Sequence, residues 1–233
     1  MFEFMLQDSG NLSLDPWHTH LRVEVIMSDK YANFAELARK EIAGVDYRIL
    51  LRRATSSFAV VAPHGGGIEP GTSEIADAVA ESDLSAGTNF SFHAFEGIKS
   101  EGNKDLHITA TNFDEPLCFS LIKAAEIVIT IHGEHSDEDG EGVFVGGLNT
   151  RLGQRIGAAL KAAGFVVGRH KNPKLQGLET TNLCNRGKKK AGVQLELSQN
   201  VRKQMFASLT REGRKKTKPA FRRFVEALRS VIA

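Results

Sequence analysis

Residues 58–62 form an apolar run that leads directly into Pro63-His64-Gly65-Gly66-Gly67-Ile68-Glu69. A buried strand that delivers a histidine and then a carboxylate into a glycine loop supplies two donor types used by catalytic zinc sites. Three consecutive glycines let Glu69 fold back towards His64 without side-chain obstruction, although a plain flexible turn would use the same residues. A second apolar run, 127–131, ends in His132, with His135, Asp137 and Asp139 behind it as rival donors. Glu196 sits among Val193, Leu195 and Leu197, where a carboxylate is costly unless it is paired, protonated or metal-bound. An ion pair with a nearby arginine would satisfy it equally well. Two neutral imidazoles and a carboxylate around an open position make a hydrolytic zinc centre. Such a centre needs a further carboxylate as general base and a cation for the negative charge of the substrate or transition state. Cys184 has no nearby histidine to activate it as a nucleophile. The glycine run also lacks the Gly-Lys-Ser/Thr ending of a phosphate-binding loop.

The elements that must position these residues alternate along the chain. Helical spacing predicts helices over 31–42, 72–81, 114–125, 149–164, 199–209 and 218–232. Thr72 and Asp114 are the expected caps of the second and third. Strands are expected over 47–53, 57–62, 88–95, 106–109, 126–132, 165–168 and 192–198. Strand-helix alternation of this kind predicts an α/β fold: a mostly parallel mixed sheet covered by helices on both faces. Ligands of open α/β sheets bind beyond the carboxyl ends of the strands, which is where His64, His132 and Glu196 fall.

Composition sets the bounds. The chain has 233 residues, 41% hydrophobic and 25% charged, enough for one globular domain over residues 29–233. Residues 1–28 read as an extension of unknown role. No apolar run approaches the roughly 18 residues of a membrane span. Acids, and no Lys or Arg before Arg22, are the wrong polarity for a secretory signal, so the expectation is a protein of the cytoplasm, or one released on lysis. Two cysteines, Cys118 and Cys184, exclude a disulfide framework. Charge is uneven: ten Lys/Arg against Glu212 and Glu226 give residues 202–233 about +8, and the rest about −6. This basic helical tail suits a polyanion, nucleic acid included, or is simply a solvated helix face.

Several ordered strings resemble a known family. They are Pro63-His-Gly-Gly-Gly-Ile-Glu-Pro-Gly-Thr-Ser-Glu-Ile75, Leu106-His-Ile-Thr-Ala-Thr-Asn-Phe-Asp-Glu-Pro116, Ile131-His-Gly133, Val145-Gly-Gly-Leu-Asn-Thr150, Asn182-Leu-Cys-Asn-Arg-Gly187 and Gly192-Val-Gln-Leu-Glu-Leu-Ser198. Together they are similar to the phage-type poly-γ-glutamate hydrolases and their bacterial relatives, over roughly residues 31–209. The resemblance implies a zinc-dependent peptidase of carboxypeptidase-like α/β fold that cuts γ-glutamyl amide bonds. It implies one zinc ion on His64, Glu69 and His132, with Glu196 as general base. The first two ligands are spaced more widely than the His-x-x-Glu of ordinary carboxypeptidases. Lys104, Arg186 and Arg202 adjoin matched strings and are candidate partners for substrate carboxylates, or ordinary surface charges. His107, inside a matched string, is a candidate to orient a ligand or the substrate, or a core hydrogen-bonding residue. Two other readings stay open: a zinc amidohydrolase of another small N-acyl amino acid, and a nucleic-acid-binding accessory protein acting through the basic tail.

Overall fold

A computed structural model describes residues 29–81, 89–134 and 140–233. Strand β1 (Tyr47–Arg52) runs antiparallel to β3 (Ser91–Gly97). Next come β2 (Phe58–Gly66), β4 (Ile127–Gly133) and β7 (Val193–Leu197), all parallel to β3. β5 (Val143–Gly146) turns antiparallel to β7, and β6 (Val167–Gly168) pairs parallel with β5 at the edge. The result is one seven-stranded mixed sheet, ordered β1-β3-β2-β4-β7-β5-β6. Ala59 to Gly66 and all of β7 are buried, as central strands covered on both faces must be.

Side chains alternate between two cores. Val60, Ala62, Ile129, Ile131 and Leu195 face one core, which α2 (Thr72–Ala80), α4 (Thr150–Ala162) and α7 (Pro219–Ile232) close with Ile75, Ile156 and Phe224. Val61, Val128 and Phe95 face the other, under α1 (Phe34–Ala38), α3 (Pro116–Ala124) and the irregular segment carrying Ile108 and Phe113. Helices therefore cover both faces of a mostly parallel α/β sheet. The basic segment 202–233 packs against this sheet, with Met205, Phe206 and Phe224 in its core. α7 buries Ala220, Phe224, Leu228 and Ile232 at four-residue spacing, while Arg222 and Arg223 stay exposed.

Several boundaries differ from the sequence pattern. The first helix closes at Ala38: the amides of Lys40 and Glu41 both return to the Leu37 carbonyl, and Ile42 is left exposed. Gly44, at φ +83°, then turns the chain into β1. Residues 107–109 join no ladder, and a 3-10 turn over Asn103–Leu106 precedes them. Glu115, rather than Asp114, caps α3, accepting from the amides of Leu117 and Cys118. Gly71 occupies the N-cap of α2, so Thr72 is helical; its hydroxyl donates to the Glu69 carbonyl at 2.9 Å. Helix α5 (Gln199–Met205) stops short of Leu209; the short α6 (Arg211–Arg214) follows, flanked by a single bridge between Phe206 and Thr217. Among the described residues no helix is long and apolar enough to cross a membrane.

Candidate metal centre

β2 does not end at Ala62; it continues through Pro63 and His64 to Gly66. Its pairing with β4 stops at Val61, and Pro63 has no amide hydrogen to extend it. Against β3, Ala62 pairs with Ala94 but Gly65 pairs with Glu96, so three steps on β2 match two on β3. This one-residue bulge reverses the alternation. Strict alternation would put His64 on the Ala62 face; the bulge turns it instead against Ile108 and Phe113, in the other core. His132 and Glu196 face that same side. They are direct partners in the β4–β7 register, while Ile131 and Leu195 face the opposite core.

The glycines then bring Glu69 back. Gly66 lies at φ +66°, and a Cβ there would stand 2.4 Å from the Gly97 carbonyl oxygen, so this position excludes every side chain. The Glu69 amide donates to the His64 carbonyl at 2.8 Å, closing the loop. Glu69 Oε1 lies 2.9 Å from His64 Nδ1, and Oε2 accepts from the Gly133 amide at 2.7 Å. His132 Nδ1 lies 3.2 Å from His64 Nδ1 and 3.8 Å from Glu69 Oε2. A tetrahedral zinc with bonds of about 2.0–2.1 Å needs ligand atoms about 3.3 Å apart, so these separations fit. Among the described residues this is the one group of three or more His, Cys, Asp or Glu able to hold a metal ion. His64 Nε2 meets the Ile108 carbonyl at 2.8 Å, which assigns its hydrogen there and leaves Nδ1 facing the cluster. His132 Nε2 is buried without a hydrogen-bond partner.

The electrostatics agree with a cation site. Burial and the neighbouring His64 push His132 down to about 3 against the pull of Glu69, so its imidazole is neutral. Burial opposes ionisation of Glu69, but His64, His132 and His107 outweigh it and hold the carboxyl at about 2. Burial also opposes protonation of His64, yet Glu69 and the Ile108 carbonyl raise its pKa. His107 joins the cluster: its ring stacks on His64 at 4.0 Å and its Nε2 is 3.9 Å from Glu69 Oε1.

Glu196 is buried beside this group. Burial, together with the charges of Glu69 and Glu134, lifts its pKa well above the ordinary carboxylate range. Gln194 Nε2 donates to its Oε1 at 2.9 Å, and Asn182 in turn holds Gln194. Sequence reasoning missed two neighbours. Glu134 Oε1 lies 3.4 Å from His170 Nε2, both side chains buried, and Phe144 packs edge-on against the His170 ring. Only the Gly133-Glu134 sequel to His132 hinted at the first, and nothing local marks His170.

The three candidate cations separate. Lys104 is exposed, in the 3-10 turn before His107. Arg186 is half-buried, donates to the carbonyls of Phe113 and Thr111, and lies over the Phe119 ring. Arg202 is 0% exposed and donates to the carbonyls of Leu197, Pro70 and Glu134. It therefore ties the fold together from inside and presents no face to solvent. His135, Asp137 and Asp139 lie outside the described residues. Cys184 is buried, which raises its thiol to about 12 and removes it as a nucleophile. A cavity of about 430 Å³ between α4 and β5–β6, edged by Lys161 and Arg169, contains none of the candidate ligands.

Known proteins share this arrangement of sequence and fold. The sequence profile of the poly-gamma-glutamate hydrolases matches residues 31–227. The SPbeta prophage-derived protein YoqZ of Bacillus subtilis (strain 168) is 36% identical over 194 residues, which is 83% of this chain and 67% of YoqZ. A solved bacteriophage poly-gamma-glutamate hydrolase superposes with a TM-score of 0.81 at 31% identity, covering 88% of this chain and 96% of that one. A zinc-free apo form of YndL superposes at 0.76 with 33% identity, covering 88% and 97%.

Proposed function

The chain belongs to the poly-gamma-glutamate hydrolase family, and from that membership we propose that it hydrolyses γ-glutamyl amide bonds of a polyanionic substrate. In this proposal one zinc ion is held by His64, Glu69 and His132, and Glu196 is the general base. The observation that carries it is the buried His-Glu-His cluster with Glu196 in register beside His132. When bound, zinc supplies Lewis acidity: it polarises a carbonyl oxygen and makes water acidic enough to attack near neutral pH.

The chain's own residues do the rest. Gln194 anchors Glu196 Oε1, which leaves Oε2 to take a proton from the attacking water and return it to the leaving amine. A carboxylate whose pKa is raised by burial is a stronger base towards that proton than an exposed one. The Gly133 amide keeps Glu69 aimed at the cluster, and the bulge of β2 turns His64 to the same side. Lys104 is the cation assigned to a substrate carboxylate, because its ammonium stays exposed on the segment leading to His107. Arg186 supports the 111–113 backbone, and Arg202 the strand ends, rather than the polymer.

The substrate class is tested by offering purified protein poly-γ-glutamate, N-acylglutamates and DNA in parallel. Shortening of poly-γ-glutamate, sensitive to chelator, is the expected result. Turnover confined to the N-acylglutamates would replace the polymer by a small amide. Steeply salt-dependent DNA binding without hydrolysis would favour the nucleic-acid reading.

A further inference from the structure

Asp29 is far from His64 in sequence and does not touch it, yet both of its carboxylate oxygens act on the same neighbour of that ligand. Oδ1 lies 2.7 Å from His107 Nδ1, and Oδ2 accepts from the Thr109 amide at 2.6 Å. Between these two anchors lies Ile108, whose carbonyl meets His64 Nε2 at 2.8 Å. The Ile108 carbonyl and the Thr109 N–H belong to one peptide group, which is planar and rigid. Fixing the N–H edge of that plane on Asp29 therefore fixes the direction of the carbonyl edge towards His64. No ladder does this, because residues 107–109 lie outside every strand.

We propose that Asp29 is a positioning residue of the metal centre: it clamps residues 107–109 from both ends and holds the Ile108 carbonyl on His64 Nε2, leaving Nδ1 for the metal. This rests on the zinc reading of His64, Glu69 and His132. The carboxylate charge also polarises the peptide it accepts from, strengthening the carbonyl on the far side as an acceptor. Its second oxygen holds the His107 ring, which stacks on His64 at 4.0 Å and blocks rotation of that imidazole. Ile108 itself is fully buried, which anchors the residue but not the orientation of its peptide plane. Asp29 lies two residues before the stretch that matches the family profile, so this clamp draws on a residue outside that stretch.

The test uses the full-length apo protein and two variants, Asp29→Asn and Asp29→Ala. Zinc affinity is read by competition with a chromophoric chelator. The geometry is read from the visible d–d absorption of the cobalt-loaded protein, which a merely structural residue would not move. Partners that orient a ligating histidine are typically worth 10–100-fold in metal affinity, so Asp29→Ala should weaken zinc by about that factor and shift the cobalt bands. Asp29→Asn keeps one acceptor oxygen for the Thr109 amide and should fall between Ala and wild type. Asp29→Ala with zinc affinity within twofold of wild type and an unchanged cobalt spectrum overturns the proposal, even if its melting temperature falls. Wild-type protein that binds no zinc overturns the zinc reading and this inference with it.

Discussion

Replacing Arg202 by Met would remove a guanidinium that no solvent reaches. Nε donates to the Leu197 carbonyl at 3.2 Å, Nη1 to Pro70 at 2.9 Å and Nη2 to Glu134 at 2.5 Å. These carbonyls end β7, precede α2 and follow β4, so one side chain ties together three segments bordering the metal centre. The guanidinium lies on Gly133, where a Cβ would stand 2.6 Å from Cζ. It also offsets the charges of Glu69, Glu196 and Glu134. Met fills much of the volume but leaves buried acceptors unmatched at about 1–3 kcal/mol each, with some relief from relaxation. Removing one partner of a buried charged group typically costs about 3–5 kcal/mol, and we expect a loss in that range. For a chain of this size that lowers the melting temperature by roughly 6–20 °C. Urea unfolding at pH 7 should show an earlier midpoint with an unchanged slope. Arg202→Lys should recover only part of the loss, since one ammonium cannot reach three divergent carbonyls. Stability within about 1 kcal/mol of wild type, combined with a raised KM for poly-γ-glutamate, would refute this reasoning and return Arg202 to the substrate.

Glu196→Gln should retain zinc, because the amide oxygen can still accept from Gln194, while turnover falls by about 10²–10⁴-fold. A full rate in that variant removes Glu196 as the base. Glu115 provides a pH test away from the centre. Burial raises its carboxyl, but the His93 hydrogen bond and the Leu117 and Cys118 amides outweigh this and hold it below 4.5. Its contribution is therefore complete above the unfolded pKa of 4.5 and drains as pH falls through the lower folded value. The urea stability gap between wild type and Glu115→Gln should be widest at neutral pH and narrow as pH falls below 4.5. A gap that does not change with pH contradicts it.

Much of this architecture could be read from one sequence because its signals are local. The apolar runs at 58–62 and 127–131 became β2 and β4, and the stripe in 218–232 became the buried face of α7. The glycine-lined return of Glu69 was readable for the same reason, as Gly66 needs a conformation that side chains oppose. What stayed hidden depends on distant partners. β2 runs past Pro63 because β3 accepts a bulge there, which no pattern in 58–66 announces. β5 is only four residues long and exists as the antiparallel partner of β7. Arg202 looked like part of a basic tail, since its charge is visible in sequence while its burial is a property of the packed strand ends. The clamp from Asp29 to His107 spans 78 positions and leaves no local trace.

The most direct measurement is zinc content together with poly-γ-glutamate chain length, for wild type and Glu69→Ala, after chelation and after zinc is restored. The account predicts about one zinc per wild-type chain, polymer shortening that stops on chelation and resumes with zinc, and neither metal nor cleavage in Glu69→Ala. Stoichiometric zinc in folded Glu69→Ala, or undiminished cleavage by metal-free wild type, would contradict it.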